Sequence, residues 1–101
     1  RVIAVGTTAA RAVESAVVRR GRRGATVRPA RGWTDRVITP AHPPLVVDGL
    51  ITGWHDPQAS HLLLVEAVAG AALTQAAYDS AAAVGYLWHE FGDAALLLPA
   101  R

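Results

Sequence analysis

In residues 1–5, Arg-Val-Ile-Ala-Val, four consecutive apolar positions follow Arg1, which suits a short strand covered on both faces. Gly6-Thr7-Thr8 breaks that run. Apolar positions then recur at 9, 13 and 16 and at 10, 13 and 17, predicting a helix of about three turns. Thr7 or Thr8 is its expected N-cap and Gly21 its stop. Glycine and proline punctuate the following stretch, which reads as loop with a short strand at Ala25–Val27. Asp35–Thr39 is a second strand expectation and Leu45–Thr52 a third, interrupted at Asp48-Gly49. Three prolines between positions 40 and 44 exclude a ladder interior there and predict a turn.

Asp56-Pro57 has helix-start chemistry, and the nearly unbroken apolar run after it predicts a helix ending near Gly70. A second helix is expected over Leu73–Gly85, capped by Thr74, stapled by Leu73 and Tyr78 and stopped by Gly85. Asp93–Leu98 is the last strand. Strands alternating with helices predict an α/β fold, a largely parallel sheet flanked by helices. Ligands then belong past the C-terminal ends of the strands. The 101 residues read as a single α/β unit. Because the chain opens inside a strand pattern at Arg1, it is expected to be a fragment, the C-terminal part of a longer protein.

Composition narrows the class. With 51% apolar and 18% charged residues the chain is that of a folded domain rather than a disordered one. No apolar run reaches the ~18 residues of a bilayer span, and no signal segment is present, so no membrane partner is expected. The absence of cysteine removes disulfides and thiolate metal sites, and fits a cytoplasmic location. The four histidines lack paired metal-ligand spacing, so no metal is expected. The net charge is only +2, but most positive charge gathers early, in RRGRRGATVRPAR. Such a cluster either meets phosphates or is a solvated helix end and loop.

Three stretches can carry chemistry. In Gly6-Thr7-Thr8 a glycine lets a ligand approach the backbone, and hydroxyls stand beside the unpaired N–H groups of a helix start. The plain alternative is a capped strand–helix turn. Arg11 and Ser15 lie four apart on one helix face, with Glu14 beside them, and either reach over a site or pair at the surface. After the third strand, Trp54 offers a stacking plane or core packing, and His55 a proton carrier near neutral pH or a loop brace. Asp56 reads as a cap. Glu66, set among leucines, valines and alanines, is expected to be at least partly buried and to need a partner, an arginine being the ordinary one. Trp88, His89, Glu90 and Phe91 precede Gly92-Asp93 near the end.

Four blocks, VIAVGTTAARAVESA, TDRVITPAHPPLVVDGLITGWHDPQASHLLLVEAVAG, AAYDSAAAVGY and FGDAALLL, together resemble the C-terminal portion of the S-adenosylmethionine:tRNA ribosyltransferase-isomerase family of queuosine biosynthesis. The resemblance covers nearly the whole chain in order, and implies that the chain is the C-terminal part of a larger α/β domain. It implies transfer of the ribosyl part of S-adenosylmethionine to a 7-deazaguanine base in tRNA and its rearrangement to an epoxy-cyclopentanediol, with adenine and methionine leaving. It therefore implies S-adenosylmethionine as cosubstrate and tRNA as partner. Gly6, Thr7, Thr8, Arg11, Glu14 and Ser15 match the family's first motif. Asp48, Thr52, His55, Pro57 and Ser60 match its second, and Tyr86, Gly92 and Asp93 its third. Together with Trp54 these supply the candidates: His55 and Asp93 for catalysis, and Gly6, Thr7, Thr8, Arg11, Ser15, Asp48, Thr52, Trp54, Ser60 and Tyr86 for substrate binding. Gly53-Trp54, His61, Glu66 and Leu87-Trp88-His89-Glu90 depart from the family pattern. A relative using S-adenosylmethionine with a non-tRNA acceptor, or a binding remnant without catalysis, is the alternative.

Overall fold

The computed structural model describes residues 1–19, 24–56, 61–87 and 91–98. The elements run β1 (Ile3–Val5), α1 (Thr7–Ser15), β2 (Val17–Arg19), β3 (Ala25–Val27), β4 (Gly49–Gly53), α2 (His61–Ala69), α3 (Ala71–Ala83) and β5 (Ala94–Leu97). A three-stranded sheet has the order β1-β4-β5, and β2 and β3 form a separate two-stranded ribbon. The α/β class expected from the sequence is present, but the largely parallel sheet is not. β1 and β4 are parallel, Ile3 opposite Gly49, whereas β4 and β5 are antiparallel, Gly53 opposite Ala94, and the ribbon is antiparallel too.

The reason lies in the helix pair. One helix would carry the chain back to the edge where β4 began, making the next strand parallel. Here α2 and α3 meet at Gly70 with a bend of 115°, so α3 returns the chain toward the edge that β4 left. Gly85 ends α3 in a Schellman arrangement: its N–H donates to the Ala82 carbonyl and the Tyr86 N–H to that of Ala81. The stop expected at Gly85 is therefore in place, and β5 starts beside the end of β4 and runs back along it.

Leu50, fully buried in β4, is surrounded by Ala4, Ala10, Ile38, Val47, Leu64, Val65, Val68 and Leu97. Burying such a leucine contributes about 1.5–3 kcal/mol. Space at Gly49 is tight. A Cβ there would lie 2.6 Å from Leu98 Cδ2 and 3.1 Å from the Leu97 carbonyl oxygen.

Other local expectations shift. The helix expected to reach Gly21 stops at Ser15, and the β-branched pair Val17-Val18 enters the ribbon with β3; Gly21 lies outside the described residues. The N-cap of α1 is Gly6 rather than a threonine. Thr74 does not cap α3 either. The cap is Gly70, and Thr74, buried in the first turns, donates its hydroxyl to the Gly70 carbonyl over 2.8 Å. That displaces the Leu73–Tyr78 staple. Asp35–Thr39 forms no strand, only an isolated bridge from Thr39 to His42 closing the proline turn. Pro57 lies outside the described residues, so the expected helix start is visible only from His61 onward.

Candidate functional site

Parallel pairing of β1 with β4 brings their C-terminal ends to one sheet edge, and antiparallel β5 begins there. Three connections gather at that edge: Gly6-Thr7-Thr8, Trp54-His55 and Gly92-Asp93. Gly6 donates its N–H to the Ile51 carbonyl over 2.8 Å, locking the first turn onto β4 four residues before His55. The Trp54 N–H donates to the Asp93 carbonyl over 3.2 Å, locking the third to the second.

Gly6 has φ 93° and ψ 149°, a conformation open in practice to glycine alone. No atom lies within 4 Å of where its Cβ would be, so the glycine serves the backbone angle and leaves open space above the turn. Thr7 and Thr8 begin α1 directly, Thr7 half-buried and Thr8 exposed. The first N–H groups of a helix have no intrahelical acceptor, and Gly6 has no side chain to cap them. The turn thus presents backbone donors and two hydroxyls together, suited to a carboxylate or another acceptor-rich group.

Trp54 is buried, with its ring edge-on to Tyr78 at 5.0 Å and to Tyr86 at 6.2 Å. Of its two expected roles the structure shows core packing. Its indole Nε1 is buried without an acceptor among the described residues. His55 follows, half-buried, its ring stacked on that of His61 at 4.4 Å and 13°. Tyr78 Oη donates to the His55 carbonyl over 2.9 Å. Burial raises the Tyr78 hydroxyl above its ordinary pKa of 10.0, and the Asp56 carboxylate adds to the rise. The sequence marks Tyr78 only as a helix staple and His61 only as a departure from the family pattern, neither as a neighbour of His55. The one available signal for Tyr78 is a lone aromatic on an alanine-rich helix.

Behind Trp54 a groove of about 260 Å³ is lined by Leu62, Glu66, Gln75, Tyr78 and Tyr86 among others. Glu66 is half-buried there, as its apolar neighbours predict, but no arginine pairs with it among the described residues. Thr52 is buried in β4, one strand residue short of the edge. Tyr86 is more than half exposed. The Asp93 carboxylate accepts the Leu87 N–H over 2.6 Å, holding the turn after α3 against the start of β5. Ser60 and the Trp88–Glu90 stretch lie outside the described residues.

Asp48, Arg11 and Ser15 are placed elsewhere. Asp48 precedes β4 at the opposite edge, roughly 16 Å away along a five-residue strand, and accepts the Val2 N–H over 2.7 Å. Ser15 stands eight residues beyond Thr7, about 12 Å along the helix. Its hydroxyl donates to the Arg11 carbonyl and also bonds Thr34 Oγ1, each over 2.6 Å. Arg11 Nε donates to the Arg36 carbonyl over 3.3 Å. Between them Glu14, only 2% exposed, accepts the N–H groups of Leu45, Val46 and Val47 and lies 4.0 Å from Arg36 Nη2. Arg11, Glu14 and Ser15 therefore clamp the 34–47 segment onto α1 rather than reach the sheet edge. Sequence reading missed the receiving half of this clamp, because a run of backbone donors leaves no mark in residue identity.

A small mixed α/β unit that gathers a glycine–hydroxyl turn and a histidine loop on one sheet edge has the build of a ligand-binding wall in an α/β enzyme. The comparisons specify which. Residues 1–97 match the family described as Queuosine biosynthesis protein. The S-adenosylmethionine:tRNA ribosyltransferase-isomerase of Methylorubrum populi is 46% identical over all 101 residues of the chain, and the enzyme of that name from Heliobacterium modesticaldum 46% identical over 98. A crystal structure of S-adenosylmethionine tRNA ribosyltransferase from Thermotoga maritima superposes with a TM-score of 0.76 at 37% identity, covering 97% of this chain. The chain belongs to the queuosine biosynthesis protein family. It spans 26% and 28% of the length of the two curated relatives and 33% of the solved structure.

Proposed function

We propose that this chain is the C-terminal part of the large α/β domain of a ribosyltransferase-isomerase. The enzyme transfers and isomerises the ribosyl moiety of S-adenosylmethionine onto a 7-deazaguanine base in tRNA, in the cytoplasm. The chain contributes one wall of the site, at the edge where β1 and β4 end. The observation that carries this reading is the bond from the Gly6 N–H to the Ile51 carbonyl, which holds the Gly6–Thr8 turn and the His55 loop on the same edge. The blocks containing both match the family whose named members catalyse that transfer.

In this reading Thr7, Thr8 and the free N–H groups of α1 bind an acceptor-rich part of the cosubstrate. His55 moves a proton. Ribosyl transfer with rearrangement requires carbon deprotonation and departure of adenine and methionine, and an imidazole can both accept and donate a proton. Tyr78, bonded to the His55 carbonyl, fixes where the loop points.

One wall does not position a reaction alone, so the test uses the full-length protein. Incubated with S-adenosylmethionine and tRNA carrying the unmodified 7-deazaguanine base, it is expected to release adenine and increase the mass of the tRNA by the transferred group. No adenine and no mass change would refute the reading. Adenine release without tRNA modification would move the acceptor elsewhere.

A further inference from the structure

The clearest feature that the sheet edge does not use is the charge at the other end of α1. Residues 17–36 hold seven of the chain's ten arginines and one of its eight acids, Asp35. The remaining 81 residues hold three arginines and seven acids. The positive charge is thus local in the sequence. Arg36 is committed to Glu14 and the Pro43 carbonyl. Arg28 and Arg31 are exposed, and neither side chain pairs with another group among the described residues. Two residues beyond Arg31, Trp33 is as exposed as a tryptophan can be, at 105%. A lone exposed indole is ordinary; what marks this one is the two exposed guanidiniums close by in the chain.

We propose that the segment from Arg28 to Trp33 docks a single-stranded RNA loop. Arg28 and Arg31 take backbone phosphates and the Trp33 indole takes the face of one unstacked base. Guanidinium forks match phosphate oxygens in pairs, and the basic residues here are all arginine, the chain having no lysine. An aromatic plane beside a basic track is the arrangement that holds single strands with little regard to sequence. Arginine and tryptophan are enriched at protein interfaces too, but seven arginines against one acid within twenty residues suit a polyanion better than a mixed protein surface. The inference rests on the reading that the acceptor base is carried by RNA. It adds where that RNA is held, on a face distinct from the sheet edge.

The test is binding of a fluorescently labelled anticodon stem-loop RNA to the full-length protein across a salt series. Removing two phosphate contacts with Arg28→Ala and Arg31→Ala is expected to flatten the plot of log K against log salt by about 1.4, at roughly 0.7 per phosphate on a single strand. Trp33→Ala is expected to weaken binding about 5- to 150-fold at every salt without changing the slope, and Trp33→Phe to restore most of it. Wild-type affinity and slope in all the variants would overturn the proposal, even if adenine release proceeds normally. So would a Trp33→Ala protein that binds RNA normally but melts earlier, since Trp33 would then be packing against another part of the protein. If wild-type protein releases no adenine yet the RNA-binding pattern holds, the transfer reading fails and this surface stands.

Discussion

Glu14 carries more of the structure than its neighbours in the chain suggest. A carboxylate that is almost wholly buried must be satisfied or it destabilises the fold. Here three consecutive backbone N–H groups meet it, and Arg36 stands nearby. The same bonds explain why the strand expected from Leu45 starts only at Gly49: the donors of residues 45–47 point at Glu14 instead of a neighbouring strand. Removing the acceptor strands those donors at roughly 1–3 kcal/mol for each that water cannot reach. Glu14→Ala is therefore expected to lower the stability of the full-length protein by about 2–4 kcal/mol in urea unfolding, while the Kd for S-adenosylmethionine of the folded fraction stays within about twofold. A change below ~0.5 kcal/mol would show that the clamp is dispensable. Arg11, Glu14 and Ser15 brace the 34–47 segment, a role that residue spacing alone does not announce.

Among the elements, what could be read in the sequence was what depends on local pattern. β1, β3, the end of α2 near Gly70, the Gly85 stop and β5 all follow from periodicity or from glycine chemistry. What could not be read depends on partners. Val17 and Val18 suit a helix face until β3 offers a ladder. Asp35–Thr39 has strand composition, but its surroundings are tied up by side chains of α1. The direction of β5 was hidden because a strand's residue pattern is the same whichever way it runs, and only the bend between α2 and α3 settles it. That helix pair also supports the site, since Tyr78 of α3 bonds the His55 carbonyl. Its raised pKa gives a pH signature. The folded state holds the Tyr78 proton more tightly than the unfolded state, so the contribution is fully present below pH 10.0 and is lost as pH rises through the higher folded value. Melting temperatures measured from neutral pH into the alkaline range are expected to fall more steeply above about pH 10 for wild type than for Tyr78→Phe. Parallel curves would mean that the hydroxyl is not held as described.

At the scale of the molecule, the chain spans about a quarter of the length of its curated relatives, and in the proposed reading it supplies one wall of the site. The resemblance found by reading the sequence named the family that the comparisons establish. It did not sort its motif residues by place. The structure puts Gly6, Thr7, Thr8, Trp54, His55, Tyr86 and Asp93 around one edge, and Asp48 and Ser15 away from it. Thr7 opens α1 and His55 follows β4, and the central claim is that they act on the same bound molecule. A double-mutant cycle on adenine release by the full-length enzyme, with Thr7→Val, His55→Gln and the pair, measures that directly. Residues working on one ligand couple, and the two losses are expected to depart from additivity by at least about 1 kcal/mol, roughly fivefold in rate. Losses that add within about 0.3–0.5 kcal/mol would place the two side chains at independent sites and contradict the shared edge as the site of chemistry.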